Sequence, residues 1–165
     1  MLNLFDRLLL VRGVPIFEEL REDFLIRLVP VMEEEVFEAK QPIIRQGEEG
    51  SSMFIIASGQ VKVHIGDQEL KRLGREEFFG EMALFDSESR SASVTALERC
   101  VCLELTQQQL YSAIDETPGI ALNLIRILSG RIRKLNQEIN ELRGQSNGAA
   151  PKVTTREATA RVKRP

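Results

Sequence analysis

The sequence predicts an α+β protein in which an antiparallel β domain is flanked by helices at both ends. Three observations carry this prediction. Residues 2–32 show leucines at helical spacing, and after Glu33 the apolar pattern changes to the alternation typical of strands. Helical spacing returns after Thr106. Many short strands with no helices between them indicate an antiparallel sandwich or barrel.

Two short helices are expected before the β domain. Residues 2–11 carry leucines and Phe5 at helical spacing, and residues 18–32 repeat the pattern. Gly13 and Pro15 lie between the two segments, where they favour a break in the helix.

The β domain contains several runs that favour strands. Residues 61–65 alternate apolar and polar side chains, and residues 54–57 and 100–105 are short β-favouring runs bounded by turn residues. Cys100 and Cys102 are two apart, so a strand directs both to one face, where they are expected to be reduced core thiols. With one histidine in the chain, they supply too few ligands for a predicted metal site.

Two helices are predicted after the β domain. Thr106 can cap a helix over residues 107–114, and Thr117 followed by Pro118 gives an N-cap and a first helical position for a long helix to Arg143.

The long helix carries an apolar stripe whose members are spaced alternately by four and three residues. Such a seam is typical of a helix that packs along a partner helix, so we expect a homodimer through residues 121–142. Alternatively, the first half covers the domain's own β core and the second half projects. The stripe consists of Ala121, Ile125, Leu128, Ile132, Leu135, Ile139 and Leu142.

Length and composition predict one domain with a tail. The chain has 165 residues, of which 42% are hydrophobic, enough for a single core. We expect the domain at residues 1–143, with leading helices at 1–32, the β region at 33–105 and the last helices at 106–143. Residues 144–165 are polar and basic and are predicted to be a disordered tail.

Charge and hydropathy exclude some functions. The net charge is −3, but the tail carries +4 and the body therefore −7, which argues against a nucleic-acid-binding face. No apolar run approaches the roughly 20 residues that span a bilayer, and no secretory leader is recognised, so a cytoplasmic protein without a membrane span is expected.

A candidate site lies in residues 79–92. Glu81 and Arg90 are nine residues apart on a stretch that begins with glycine and is partly apolar. The planar guanidinium of arginine suits a phosphate, and a carboxylate can accept a hydrogen bond from a sugar hydroxyl. An internal salt bridge between the two side chains, with no ligand, is the alternative.

The motif Gly80-Glu81-Met82-Ala83-Leu84, followed by Arg90-Ser91-Ala92, closely resembles the phosphate-binding cassette of the cyclic-nucleotide-binding domain family. Upstream, the segments 47–50 and 59–63 resemble the two glycine-marked turns of that family. The family includes catabolite activator proteins, regulatory subunits of cAMP-dependent kinase and cytoplasmic domains of gated channels. Two segments depart from its pattern: Ser51-Ser52 follows Gly50 where an acidic residue is common, and Glu76 stands where a second glycine is frequent.

The resemblance implies a jelly-roll barrel that binds cAMP or cGMP. It implies that Arg90 pairs with the cyclic phosphate and that Glu81 accepts a hydrogen bond from the ribose 2′-hydroxyl. The other implied ligand-binding residues are main-chain donors of the cassette, small residues beside the arginine, and apolar strand residues that contact the base. For the apolar strand residues, packing in the core without ligand contact is the alternative. They are Gly80, Met82, Ala83, Ser91, Ala92, Val61, Val63 and Leu73.

No catalytic motif is present, so the expected function is binding, with no catalytic residues and no metal. The sequence predicts a cyclic-nucleotide sensor that acts on an unidentified effector protein. Residues 144–165 are too few and too polar to form a DNA-binding domain. One alternative is a degenerate family member that serves as a dimerising scaffold, and a less favoured one is an enzyme on the same small barrel.

Overall fold

The computed structural model describes residues 1–85 and 88–147, with side chains to Leu142 apart from residues 86 and 87. The predicted α+β class and jelly-roll architecture are confirmed, because eight strands form two antiparallel sheets with helices before and after them. The chain divides into two compact units, Met1–Ile127 and Leu128–Pro165. Most of the predicted tail, residues 148–165, lies outside the described residues.

Of the two helices before the sheets, the first lies two residues later than predicted and the second is shorter than predicted. Helix α1 spans Leu4–Gly13 and α2 spans Glu22–Leu28, with single 3-10 turns at Pro15–Phe17 and Val29–Val31. The prediction of one helix over residues 18–32 was therefore too long. Pro30 lies within the second 3-10 turn, and a proline removes a main-chain donor that a continuing helix would use.

The strands form two four-stranded sheets. In chain order they are β1 Glu33–Phe37, β2 Pro42–Ile44, β3 Ser52–Ser58, β4 Val61–Ile65, β5 Gln68–Leu73, β6 Phe78–Phe79, β7 Ser93–Ala96 and β8 Cys100–Thr106. The first sheet has the order β1-β8-β3-β6 and the second the order β2-β7-β4-β5. All of the pairings are antiparallel.

An apolar core fills the space between the sheets. Phe54 stacks on Phe79 with ring centroids 5.4 Å apart, and Phe37 meets Phe54 edge-on at 6.0 Å. Cys100 and Cys102 belong to this core, as the spacing predicted, and both are fully buried free thiols. Four residues on the other face of β3 and β8 are also fully buried: Met53, Ile55, Leu103 and Leu105.

Helix α3 spans Gln107–Glu116 and begins with the capping box that Thr106 predicted. The Thr106 hydroxyl accepts from Gln109 N at 3.3 Å, and the Gln109 side chain accepts from Thr106 N at 2.9 Å. The predicted cap of the next helix was wrong. Thr117 Oγ1 is buried without a hydrogen-bond partner among the described residues.

Helix α4 spans Gly119–Asn147, so it includes the first four residues of the predicted tail. Ile120 and Leu124, near its start, are buried in the first unit. Most side chains of the predicted stripe are exposed instead. The exposed fraction is between 45% and 66% for Ile125, Ile132, Leu135, Ile139 and Leu142. No helix in the described ranges is both long enough and apolar enough to cross a membrane.

Candidate functional site

The site predicted from the sequence lies between β6 and β7, at the point where the chain leaves the core. Phe79 is buried in the core, and Gly80 follows with φ +86°, a conformation that glycine adopts without steric cost. A 3-10 turn then spans Met82–Leu84. Gly80 and Glu81 therefore connect the end of β6 to this turn.

Arg90 is the most constrained side chain of this site. Its Nη1 donates to Gly80 O and its Nη2 donates to Ser52 O, both at 2.8 Å. The main chain of Arg90 is held as well, because Arg90 N donates to Glu48 O and Gly47 N donates to Arg90 O, each at 2.9 Å. Only 7% of Arg90 is exposed. The cassette and the first residue of β3 therefore hold the guanidinium, and the turn before β3, residues 47–51, holds the main chain of Arg90.

The charges around Arg90 come from two carboxylates at longer range. Burial lowers the pKa of the Arg90 guanidinium, and the carboxylates of Glu104 and Glu81 oppose this effect. Glu81 is itself buried, with 3% exposed. Among the residues that the structure describes, no ion pair joins Arg90 to a carboxylate. The alternative of a direct Glu81–Arg90 salt bridge is thus absent from this arrangement.

Glu104 was not anticipated from the sequence. It is paired with Phe54 across the sheet and follows Cys100 and Cys102 in the alternation of β8, so it lies on the inner face. That period-two pattern was the signal that could have found it. Its carboxylate oxygen lies within 4.8 Å of those of Glu33 and Glu35. Of these three groups, Glu104 is the one whose negative charge acts on the guanidinium of Arg90.

The remaining predicted residues divide into two groups. Ala83 is buried beside the turn, whereas Met82 and Ser91 are exposed and touch each other through Met82 Sδ and Ser91 Oγ at 3.7 Å. Ala92 is half-buried. The three predicted base-contacting residues lie in or against the apolar core between the sheets, where Val61 faces Leu73 across the β4–β5 pair and Val63 packs at the margin.

A cavity of about 460 Å³ adjoins the cassette. Ala83 is the predicted site residue that lines it, together with Gly50 and Ser51 from the turn before β3 and Gln107 from the start of α3. Glu49 and Glu88 line it as well. Its volume is within the range of ligand pockets, and its lining joins the turn before β3 to the cassette and the start of α3.

Helix α3 is bonded to the same turn. The Leu84 oxygen accepts from Tyr111 Oη and from Gln107 Nε2, both at 2.6 Å, and Gln107 N donates to Ser51 O at 2.8 Å. Phe85 packs against Tyr111 with ring centroids 6.2 Å apart. The cassette, the turn before β3 and the start of α3 are therefore one hydrogen-bonded unit.

Comparisons with known proteins agree with this geometry. The sequence profile of a family described as "Cyclic nucleotide-binding domain" matches residues 34–117. The crystal structure of the Thermus thermophilus catabolite activator protein is 33% identical and covers 78% of this chain and 62% of that chain, with a TM-score of 0.69. The regulatory domain of PKA from Toxoplasma gondii, co-crystallised with cAMP, is 28% identical and covers 67% of this chain and 44% of that chain, with a TM-score of 0.62.

A human relative gives the same result at the level of sequence. The cGMP-dependent protein kinase 2 of Homo sapiens is 36% identical over 134 residues, which is 78% of this chain and 17% of the kinase. The chain therefore spans less than two thirds of the length of each of these three proteins.

Proposed function

The chain belongs to the cyclic nucleotide-binding domain family, and from that premise we propose that it is a regulatory module that binds cAMP or cGMP and performs no catalytic step. The ligand is held by its phosphate, its sugar and its base in separate parts of the site. The change caused by ligand binding is then transmitted to an effector protein that this sequence does not identify.

The observation that carries the proposal is the hydrogen bonding of the buried Arg90 guanidinium. A guanidinium has five N–H donors, and the two bonds to Gly80 O and Ser52 O use one on each Nη. The others make no hydrogen bond to any residue that the structure describes. A largely buried cation held by neutral carbonyls is suited to an anion, because a phosphate would offer charge-assisted hydrogen bonds in a region of low dielectric constant.

Groups around Arg90 complete the proposed site. Main-chain N–H groups of Met82 and Ala83 precede the first bond of the 3-10 turn, from Leu84 N to Glu81 O at 3.2 Å, so the turn does not use them. With Gly80, they are proposed to donate to the phosphate. Glu81 is proposed to accept from the ribose 2′-hydroxyl.

Ser91, Ala92, Val61, Val63 and Leu73 are proposed to contact the phosphate, the sugar or the base. Ser91 is exposed next to Arg90, whereas Val61 and Leu73 are buried between the sheets. Base contact by these apolar residues requires that the ligand reaches the margin of the core.

The apolar stripe of α4 supports a homodimer through residues 121–142. In heptad terms Ile125, Ile132 and Ile139 occupy the a positions, and leucines occupy the d positions at 128, 135 and 142. Isoleucine at a with leucine at d favours a parallel pair of helices over larger bundles. A second copy of this chain offers the same spacing and would cover side chains that are 45% to 66% exposed.

The proposal also covers the cellular compartment and the condition for signalling. The free buried cysteines Cys100 and Cys102 suit the reducing cytoplasm, where we place the protein. Signalling requires that the nucleotide binds one arrangement of the domain better than another, since a ligand with equal affinity for both shifts nothing.

The experiment is an isothermal titration of the purified chain with cAMP, cGMP, their non-cyclic 5′-monophosphates and the two nucleosides. The proposal predicts saturable binding of at least one cyclic nucleotide and weaker binding of the matching nucleoside. Absence of binding by both cyclic nucleotides, with an intact dimer, favours the alternative of a dimerising scaffold, for which the exposed stripe is the supporting observation.

A further inference from the structure

Gly50 packs directly against the guanidinium of Arg90. A Cβ atom built on Gly50 would overlap three atoms of that side chain, Nε, Cζ and Nη2. At Gly80, by comparison, a Cβ would lie 2.8 Å from Nη1. The closer approach is therefore made by the glycine that lies outside the cassette, in the turn before β3.

Residue 50 must be glycine because the Arg90 guanidinium occupies the space that a Cβ atom would need. Gly47, Gly59, Gly66 and Gly80 have positive φ angles, which explains a glycine by backbone conformation, but Gly50 does not. Alanine at residue 50 is compatible with the backbone and incompatible with the present position of Arg90.

The guanidinium cannot move away without losing its bonds. Nη1 and Nη2 are held at 2.8 Å by Gly80 O and Ser52 O, and Ser52, the first residue of β3, is only two residues from Gly50. A methyl group at residue 50 would displace the guanidinium, and hydrogen bonds weaken steeply when their geometry is lost.

We propose that Gly50 is a positioning residue for phosphate recognition: because it has no side chain, the Arg90 guanidinium can lie flat in the turn and present its remaining N–H groups to the ligand. This inference rests on the proposed function. Gly50 lies in the turn before β3, at a position that the ligand need not touch. The inference is that this position controls the affinity for the phosphate. Affinity for the sugar and the base is left to the other parts of the site.

The first test needs no ligand. Thermal unfolding is measured for the wild type, Gly50→Ala, Arg90→Ala and the double variant, with Gly74→Ala as control because a Cβ there meets no atom within 4 Å. The expected result is that Gly50→Ala lowers the Tm in the wild type and has almost no effect on Tm in Arg90→Ala, because the overlapping atoms are gone. An equal loss of Tm in both backgrounds would overturn the inference.

NMR of the ligand-free protein gives a second readout if Gly50→Ala is poorly stable at high temperature. The Arg90 Nε–H resonance is assigned by its absence in Arg90→Ala. It should shift in Gly50→Ala and stay in place in Gly74→Ala. An unchanged Arg90 resonance in Gly50→Ala would show that the guanidinium is not displaced, and the inference would fail.

Binding by calorimetry then separates this inference from the proposed function. Gly50→Ala should weaken the preferred cyclic nucleotide by about tenfold to a hundredfold, the effect of losing a hydrogen bond to a charged group, and the nucleoside by less than about twofold. The double variant should bind as Arg90→Ala does. If Arg90→Ala binds normally, the proposed function fails; if Arg90→Ala loses binding and Gly50→Ala does not, only the role of Gly50 fails.

Discussion

The Nη2 group of Arg90 donates a 2.8 Å hydrogen bond to the main-chain oxygen of Ser52, a residue 38 positions earlier in the chain. A main-chain oxygen is neutral, so this bond orients the guanidinium without cancelling its charge. Ser51 and Ser52, where the family commonly has an acidic residue, add no carboxylate to those of Glu104 and Glu81 near Arg90. Under the proposed function, the guanidinium held in this way is the group that pairs with the phosphate.

Disrupting the stripe of α4 should dissociate the proposed dimer. Ile132→Asp with Leu135→Asp places charges on side chains that are 58% and 56% exposed in the single chain and would be buried in a pair of helices. Analytical ultracentrifugation should show a dimer for the wild type and a monomer for the double variant. Arg133→Asp, off the stripe, is the control, and a wild-type monomer at all concentrations would refute the dimer.

Thr106, which caps α3, and Thr117, which lies between α3 and α4, should respond differently to loss of the hydroxyl. Thr106→Ala removes half of a capping box and should lower the free energy of unfolding by about 1 kcal/mol. Thr117→Val replaces a buried hydroxyl that has no partner among the described residues and should be neutral or stabilising. Urea unfolding measures both; equal losses would contradict the different environments described here.

Glu34 should contribute stability that is lost in acid. Burial alone would raise the pKa of its carboxyl, but hydrogen bonds from Leu2 N at 2.8 Å and Arg7 Nη2 at 3.1 Å lower the pKa below the ordinary value of 4.5. A group whose pKa is lowered by folding stabilises the protein above its unfolded pKa, and the effect disappears as pH falls through the folded pKa.

The corresponding measurement is Tm against pH for the wild type and Glu34→Gln. The wild type should be the more stable at neutral pH, with the difference constant above about pH 5 and shrinking in more acidic solution. Glu22→Gln is the control, because the side chain of Glu22 is 74% exposed in its pair with Arg12. A difference that persists unchanged to pH 3 would show that Glu34 acts by packing and not by charge.

The two cysteines should be inert in the folded protein. Burial first, and then the charge that Cys100 would carry as a thiolate and the charge of Glu35, raise the pKa of the Cys102 thiol to about 12, so almost no Cys102 thiolate is present at pH 8. A disulfide reagent should therefore modify neither thiol of the native protein and both after denaturation. A cysteine introduced at exposed Gln68 serves as the reactive control; rapid modification of native Cys102 would contradict its burial.

Much of the fold could be predicted because local patterns and tertiary packing agree. Thr106 and Gln109 define the start of α3 by chemistry within four residues, and the spacing of Cys100 and Cys102 places both in the core. Glu76 is a position where the residue and the backbone conformation do not agree. It stands where a glycine is frequent in the family, and it adopts a φ of +66°, the left-handed conformation that glycine prefers.

The candidate site was only partly predictable, because its essential contacts are distant in sequence. Nothing in the local pattern of residues 47–52 shows that Gly50 and the Ser52 oxygen meet Arg90, and Glu104 is assigned to the site only by the register of β8 against β3. The cap at Thr117 was wrong for a similar reason. Its sequence context is favourable, but packing buries the hydroxyl away from the donors that it would accept from.

The most direct test of the central claim is calorimetric titration of cAMP and cGMP into the wild type, Arg90→Ala and Arg72→Ala. Arg72 is an exposed arginine that pairs with Glu69 at 2.8 Å and lies outside the cassette. We expect Arg90→Ala to weaken binding by about 1.5 to 3 kcal/mol or more, as for loss of a charged hydrogen bond, and Arg72→Ala to bind as the wild type does. Equal affinity of the wild type and Arg90→Ala for the cyclic nucleotide would contradict the account.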